Sequence, residues 1–138
     1  MAYSIELFND ETLRTYGRFL LANISMAESI PFKPVLIEGL PAKERLCHHN
    51  ARRFTIENSG YVYQDGWLCI DGGGTSPLMT FGAHTIVHSD DGLKFDVTPY
   101  EALDPPLFLP SFLDEESFER ACDYLYQTEG RSTFTVPK

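Results

Sequence analysis

Residues 80–98, TFGAHTIVHSDDGLKFDVT, decide the fold because they predict two antiparallel strands joined by a tight turn. Residues 80–88 and 93–98 are rich in β-branched, aromatic and other apolar side chains, which is typical of buried strands. Between them, Asp90-Asp91-Gly92 has the composition of a three-residue hairpin loop, in which a type I turn is closed by a left-handed glycine. The stretch therefore predicts a β-hairpin within an antiparallel sheet.

The length of this loop determines which side chains of the two strands lie together. With three residues in the loop, Ile86 lies opposite Asp96, and His84 lies opposite Thr98. Because side chains alternate between the two faces of a strand, His84 and Asp96 then share a face as diagonal neighbours. A two-residue loop at Asp91-Gly92 would place them on opposite faces. The prediction of a histidine–aspartate pair thus depends on the three-residue loop.

Outside the hairpin, apolar periodicity predicts about three helices and two further strands. The helices are expected over residues 10–24, 42–57 and 114–127. The two further strands are expected over residues 61–70 and 132–136. The strand at 61–70 is either continuous or interrupted by a tight turn at Asp65-Gly66. We therefore predict an α+β fold, in which an antiparallel sheet packs with about three helices in a single domain spanning residues 1–138.

Composition and charge exclude several classes of protein. Apolar residues make up 43% and aromatic residues 13% of the chain, which is too much for a disordered segment. Eleven Lys and Arg face twenty Asp and Glu, for a net charge of −9, so we expect neither nucleic acid nor an anionic membrane as a partner. No apolar run is long enough to span a membrane, and the N-terminal residues lack the pattern of a signal peptide. Three widely spaced cysteines do not resemble a disulfide framework, which favours a cytoplasmic location.

Three residue types that thiol catalysis needs occur in a suggestive order. Cys47 is expected on a helix, His84 on a strand and Asp96 on the following strand. A thiol attacks as its thiolate and needs a base beside it. The imidazole needs a third group that fixes its tautomer and stabilises its cation. Cys47, His84 and Asp96 are therefore the candidate catalytic residues.

Four short segments resemble the papain-like and transglutaminase-like cysteine enzymes: Cys47–Ala51, Tyr63–Trp67, Ala83–Val87 and Asp96–Pro99. In those enzymes a cysteine on a helix precedes a histidine on a strand. An aspartate on the following strand, often in an Asp-x-Thr setting, completes the triad. The resemblance implies a papain-like core for this chain.

The same resemblance implies a role for each candidate residue and a class of reaction. Cys47 would be the nucleophile, His84 the base and Asp96 the orienting acid. The activity would be that of a cysteine hydrolase or acyltransferase, with attack on an amide, ester or thioester carbonyl. The partner would be a protein or small amide substrate, and no cofactor is expected.

A catalytic role for Cys47 also depends on its position in the helix and on a donor that stabilises the oxyanion. A helix that begins after Pro41 places Cys47 in its second turn, where the helix dipole stabilises a thiolate much less than in the first turn. A backbone N–H near Cys47 is the default oxyanion donor. Asn23 and Gln64 are side-chain candidates for the same role.

Each candidate residue also has a non-catalytic interpretation. Cys47 on an apolar helical face is by default a small buried hydrophobe, and His84 can be a hydrogen-bonded core histidine. The alternative function is then a non-catalytic acidic module that binds a basic patch on a partner protein. Proximity of the Cys47 sulfur to one nitrogen of His84, with Asp96 on the other nitrogen, distinguishes the two functions.

A metal site is the third hypothesis. Its candidate ligands are Cys47, His48, His49, His84 and His88. Their spacing fits no closed zinc motif, and the adjacent His48 and His49 point about 100° apart on a helix. We therefore expect no bound metal. The glycines at 72–74 lack the lysine of a phosphate-binding loop and predict a flexible loop.

Overall fold

The computed structural model describes residues 3–71, 76–100 and 106–138. Within these residues the fold is α+β, with three α-helices and a five-stranded antiparallel sheet, as predicted. The helices are α1 (Asp10–Ala22), α2 (Cys47–Glu57) and α3 (Glu115–Glu129). The strands are β1 (Leu36–Ile37), β2 (Leu40–Pro41), β3 (Tyr61–Ile70), β4 (Leu78–Ser89), β5 (Lys94–Phe95), β6 (Leu107–Pro110) and β7 (Thr133–Pro137). The loop predicted at 72–74 lies outside the described residues.

The long strand β4 organises the main sheet. It pairs with β3 along its length, and β6 extends the sheet on the far side of β3. On its other edge, β4 pairs first with β7 and then with β5. The pairing with β7 ends at Gly82 and the pairing with β5 begins at Val87. Along residues 84–86, this edge of β4 therefore pairs with neither strand. His84 lies in this opening.

Most predicted boundaries are confirmed to within a few residues, because the local end signals operate as expected. The side chain of Asn9 caps α1 by accepting from the N–H of Thr12 over 2.8 Å. The side chain of Asp114 caps α3, which ends at Gly130 in the left-handed conformation with φ 72°. The described helices include none that is long and apolar enough to cross a membrane.

The predicted start of α2 at residue 42 is wrong, because α2 begins at Cys47. Pro41 ends β2, a strand of the small β1–β2 hairpin, and does not open a helix. Arg45 has φ 64°, a left-handed conformation that cannot continue into a right-handed helix. The residues between Pro41 and Leu46 therefore form a turn that leads into α2.

Asp65-Gly66 does not interrupt β3, which is continuous from Tyr61 to Ile70. The glycine is instead explained by the close approach of β6. A Cβ on Gly66 would lie 2.4 Å from the backbone oxygen of Leu109 and 2.4 Å from the Phe108 ring. The missing side chain therefore allows β6 to pair directly with β3.

We expect Gly66→Ala to reduce the free energy of unfolding by about 2 kcal/mol or more, because the new methyl group overpacks against backbone that cannot move aside. Gly82→Ala on β4 is the matched control, since its Cβ would meet nothing closer than 3.6 Å. That control should stay within about 1 kcal/mol of the wild type. Urea denaturation measures both variants, and equal stabilities would contradict this account of Gly66.

The hydrophobic core consists of two clusters of buried residues. The first lies beneath α1 and α3 and is centred on Trp67 and Phe81, both fully buried. The second lies beneath α2, where Ala51 and Phe54 pack against Val87. This packing holds α2 against the end of β4. The packing therefore also determines which part of β4 lies near the first residues of α2.

Candidate functional site

The β4–β5 turn brings His84 and Asp96 together as predicted. The N–H of Ser89 donates to the carbonyl of Leu93 over 2.9 Å, and Gly92 has φ 88°, so the loop has three residues. Nε2 of His84 lies 2.5 Å from Oδ2 of Asp96. The diagonal pairing inferred from the loop length is therefore confirmed.

Backbone contacts fix the carboxylate of Asp96 after β5 ends. Its Oδ1 accepts a hydrogen bond from the N–H of Thr98 over 2.9 Å, so each carboxylate oxygen has a partner. Its own N–H donates to the carbonyl of Pro31 over 2.8 Å, and its carbonyl accepts from the N–H of Lys33 over 2.9 Å. The aspartate is thus held rigidly beside His84, which is itself buried.

Cys47 is the first residue of α2, and this position favours a thiolate. The preceding residue, Leu46, provides no side-chain hydrogen bond to cap the helix. The N–H groups of the first turn have no acceptor within the helix, and they give this end a partial positive charge. The second-turn position expected from the sequence is therefore wrong, and the correction places the sulfur where the dipole is most effective.

Asn50, one turn further along α2, ties the start of the helix to the Asp96 segment. Its buried amide donates to the carbonyl of Lys43 over 2.7 Å and to Oγ1 of Thr98 over 3.1 Å. Thr98 is the residue whose N–H holds Asp96. One amide group thus connects the segment that carries Cys47 with the segment that carries the carboxylate.

Cys47 and His84 line the same cavity, and each shifts the pKa of the other. Burial by itself would raise the pKa of the thiol, but hydrogen bonds with His48 and His84 and the charges of both rings lower it to about 6. Burial would lower the pKa of His84, whereas hydrogen bonds with Asp96 and Cys47 raise it to about 9. The pKa of the thiol is lowered and that of the imidazole is raised, and both shifts favour a thiolate–imidazolium pair over the neutral pair.

The other two cysteines have the opposite electrostatic environment. Burial raises the pKa of Cys69 to about 11 and that of Cys122 to about 12. Their thiols therefore stay protonated at neutral pH and are poor nucleophiles. Cys47 is thus the cysteine whose surroundings favour reactivity.

The sulfur and the imidazole line a cavity of about 400 Å³. Its remaining wall is formed by Glu44, Arg45, Ala83, Thr98, Pro99 and Tyr100. A larger cavity of about 820 Å³ runs along the edge of β3 and is lined by neither Cys47 nor His84. The smaller cavity is the one that gives a substrate access to the candidate nucleophile.

Neither side-chain oxyanion candidate from the sequence lines this cavity. The amide of Asn23 donates to the carbonyl of Phe19 at the end of α1, and Gln64 lines the larger cavity instead. The backbone N–H of Cys47, free of an intrahelical acceptor, is the donor that the geometry retains.

His48, a candidate metal ligand from its residue type, has a different setting in the structure. Its Nδ1 lies in close contact with Oγ1 of Thr85, which donates to Oδ1 of Asp65 over 2.8 Å. The described residues include no group of three or more His, Cys, Asp or Glu arranged to hold a metal ion. His49 faces a separate pocket, and the ring of His88 contacts the carbonyl of Ser89.

No family model, curated protein or solved structure matches this chain, so the site itself carries the functional argument.

Proposed function

We propose that this chain is a cysteine-dependent hydrolase or acyltransferase that uses Cys47, His84 and Asp96. One observation carries the proposal. Cys47, at the start of α2, lines the same cavity as His84, whose Nε2 lies 2.5 Å from a carboxylate oxygen of Asp96. This is the arrangement that activates a nucleophile through a base and orients the base through a third group.

The three residues have distinct roles in the proposed reaction. The Cys47 thiolate attacks the carbonyl carbon of the substrate, and the electron pair of the C=O bond moves to the oxygen. The first-turn N–H of Cys47 stabilises that oxyanion. His84 gives its proton to the leaving group as the tetrahedral intermediate collapses, which leaves an acyl thioester on the sulfur.

The second half of the reaction restores the resting state. Neutral His84 takes a proton from water, or from another acceptor nucleophile, as the water or the nucleophile attacks the thioester carbonyl. The acyl group leaves, the thiolate is regenerated and His84 keeps the proton. Throughout, the Asp96 carboxylate accepts a hydrogen bond from Nε2–H of His84, and Nδ1 is the nitrogen that exchanges protons in the reaction.

The cavity and its lining restrict the substrate class only broadly. A volume of about 400 Å³ accommodates a side chain or a small amide, ester or thioester group. The lining includes one acidic, one basic and one aromatic side chain from Glu44, Arg45 and Tyr100. We propose an acyl substrate presented by a protein or a small molecule.

The interaction-module alternative is less well supported by the geometry. An unpartnered, buried Cys47 would favour that function, whereas Cys47 here is only half-buried and shares a cavity with His84. A structural cysteine gains nothing from a lowered pKa, since a buried thiolate costs solvation energy.

Trapping an acyl-enzyme tests the proposal. Incubation with the activated ester p-nitrophenyl acetate should give a burst of nitrophenol and an acetyl group on Cys47, detected by peptide mass spectrometry. Cys47→Ala should lose both signals, and Cys122→Ala should keep them because that thiol is protonated. Acetylation spread equally over the three cysteines, without a burst, would refute the proposal.

A further inference from the structure

One edge of β3 is covered along only part of its length. β6 pairs with residues 66–69 of β3, and beyond them the N–H of Ser111 donates to the carbonyl of Asp65 over 3.2 Å. Phe112 then adopts a left-handed conformation, with φ 60°, which cannot continue a strand. Residues 61–64 therefore pair with β4 on one edge and, among the described residues, with no strand on the other.

The backbone groups on this free edge belong to Tyr61 and Tyr63. In a paired strand, the N–H and C=O of one residue point to one edge and those of the next residue to the other. The carbonyl of Asp65 faces β6, so by alternation the groups of Tyr61 and Tyr63 also point away from β4. These groups have no hydrogen-bond partner in the part of the chain that the structure describes. Such an edge is a template for an added strand.

The free edge lines the larger cavity, of about 820 Å³. The lining includes consecutive residues of β3, whose side chains alternate between the two faces, so the cavity follows the edge of the strand. Ile56 and Val62 line it with 70% and 46% of their surface exposed. Oε1 of Gln64, another lining residue, is buried and lacks a hydrogen-bond partner among the described residues. Exposed apolar groups and an unpaired polar atom beside a bare edge are typical of a surface that a partner covers.

Charge selects the partner of this edge. Asp65 and Glu115 line the cavity, whereas no described Lys or Arg does. The contacts that Arg52 and Tyr63 make with Glu115 both involve Oε1, so its Oε2 is available to an incoming cation. A second copy of the chain would bring the same carboxylates and a net charge of −9, so repulsion opposes the pairing of two copies. A basic, extended segment fits both the charge and the edge.

We propose that residues 61–64 of β3 bind an extended segment of a partner protein as an added strand, with a Lys or Arg of that segment beside Glu115. At about 3.3 Å per residue, the paired part of the segment is about four residues long. Because Tyr63 contacts Glu115, the cation belongs on the face of the sheet that carries the Tyr63 ring. The site is independent of the proposed function, since neither Cys47 nor His84 lines this cavity.

Peptides selected from a random phage-displayed library on the wild-type protein test the proposal. The enriched sequences should contain Lys or Arg within an extended, proline-free stretch. Binding of a synthetic peptide of this kind should slow amide hydrogen exchange at Tyr61 and Tyr63 by about tenfold or more, measured by NMR. N-methylation of the alternate peptide nitrogens that face β3 should weaken binding by about tenfold or more, whereas N-methylation of the intervening nitrogens should not.

Protein variants identify the charge and separate this site from the catalytic one. Glu115→Gln should weaken binding of the basic peptide by about fivefold. Glu119→Gln is the matched control, because Glu119 also contacts Arg52 but does not line this cavity, and it should bind as the wild type does. Cys47→Ala should bind equally well, whatever the outcome for the proposed function.

Three results would overturn the proposal. The first is a selection that enriches no basic peptide. The second is a bound peptide that leaves exchange at Tyr61 and Tyr63 unchanged. The third is a dimer in analytical ultracentrifugation whose formation protects the same two amides, which would assign the edge to a second copy of the chain.

Discussion

Replacing His84 by alanine is expected to reduce kcat/KM for p-nitrophenyl acetate at pH 7 by about 10²-fold to 10³-fold. The variant loses the imidazolium that stabilises the Cys47 thiolate and the base that activates water for deacylation. The thiol itself remains, so a residual rate above that of Cys47→Ala is expected. Spectrophotometric release of nitrophenol measures all three proteins.

His88→Ala is the matched control for this experiment. His88 lies on the same strand as His84, and its ring contacts the carbonyl of its neighbour Ser89 at 3.2 Å. Its loss should change kcat/KM by less than about twofold, since it contacts no group of the triad. A His84→Ala enzyme that keeps more than a tenth of the wild-type rate would show that His84 is not the base.

Removing the carboxylate of Asp96 is expected to have the second-largest effect. Asp96→Ala should lower kcat/KM about 10²-fold or more, because His84 then lacks the group that orients its ring and stabilises its cation. Asp96→Asn should also lower kcat/KM, since its single amide oxygen cannot accept from both Nε2–H of His84 and the N–H of Thr98. Asp90→Asn, which removes one exposed charge from the adjacent loop, should have no effect beyond about twofold.

The same variants have a spectroscopic signature that does not depend on a substrate. The pKa of His84 should be about 9 in the wild type and should fall in Asp96→Asn, because burial lowers it and the lost carboxylate no longer raises it. The imidazolium is thus present below pH 9 in the wild type and is lost at a lower pH in the variant. Imidazole ¹⁵N chemical shifts follow this titration. An unchanged His84 midpoint in Asp96→Asn would contradict the assigned role of Asp96.

The part of the site that could be predicted from the sequence is the part governed by local rules. The His84–Asp96 pair follows from the three-residue loop at 90–92, because a loop of that length and composition permits one register. The ends of α1 and α3 follow from side chains that bond to the nearest backbone groups. Such signals act over a few residues and need no knowledge of the whole fold.

The predicted start of α2 is wrong because Pro41, the local signal on which it depends, has another role. Proline is common at the first position of a helix, yet Pro41 belongs to the β1–β2 hairpin. The left-handed conformation of Arg45 has no sequence signature, since arginine rarely adopts it. The error concealed the position of Cys47 at the helix start, a position that favours its thiolate.

The hydrogen-bonded chain from His48 through Thr85 to Asp65 could not be predicted, because it depends on a long-range register. Asp65 and Thr85 are opposite each other only because β3 and β4 pair with Tyr61 against Ser89. The connection between these strands is long and carries no turn signal that would fix this alignment. The approach of His48 to Thr85 further requires the packing of α2 on the sheet, which periodicity alone does not position.

The pH dependence of Cys47 alkylation in the wild-type protein is the most direct test of the central claim, that an imidazole and a carboxylate activate this thiol. Iodoacetamide labelling is followed from pH 4 to pH 10, and peptide mass spectrometry distinguishes Cys47 from Cys69 and Cys122. The account predicts a midpoint at about pH 6 for Cys47, with the other two cysteines unlabelled at neutral pH. A Cys47 midpoint at or above about 8.5, the value of an unperturbed cysteine, would contradict it.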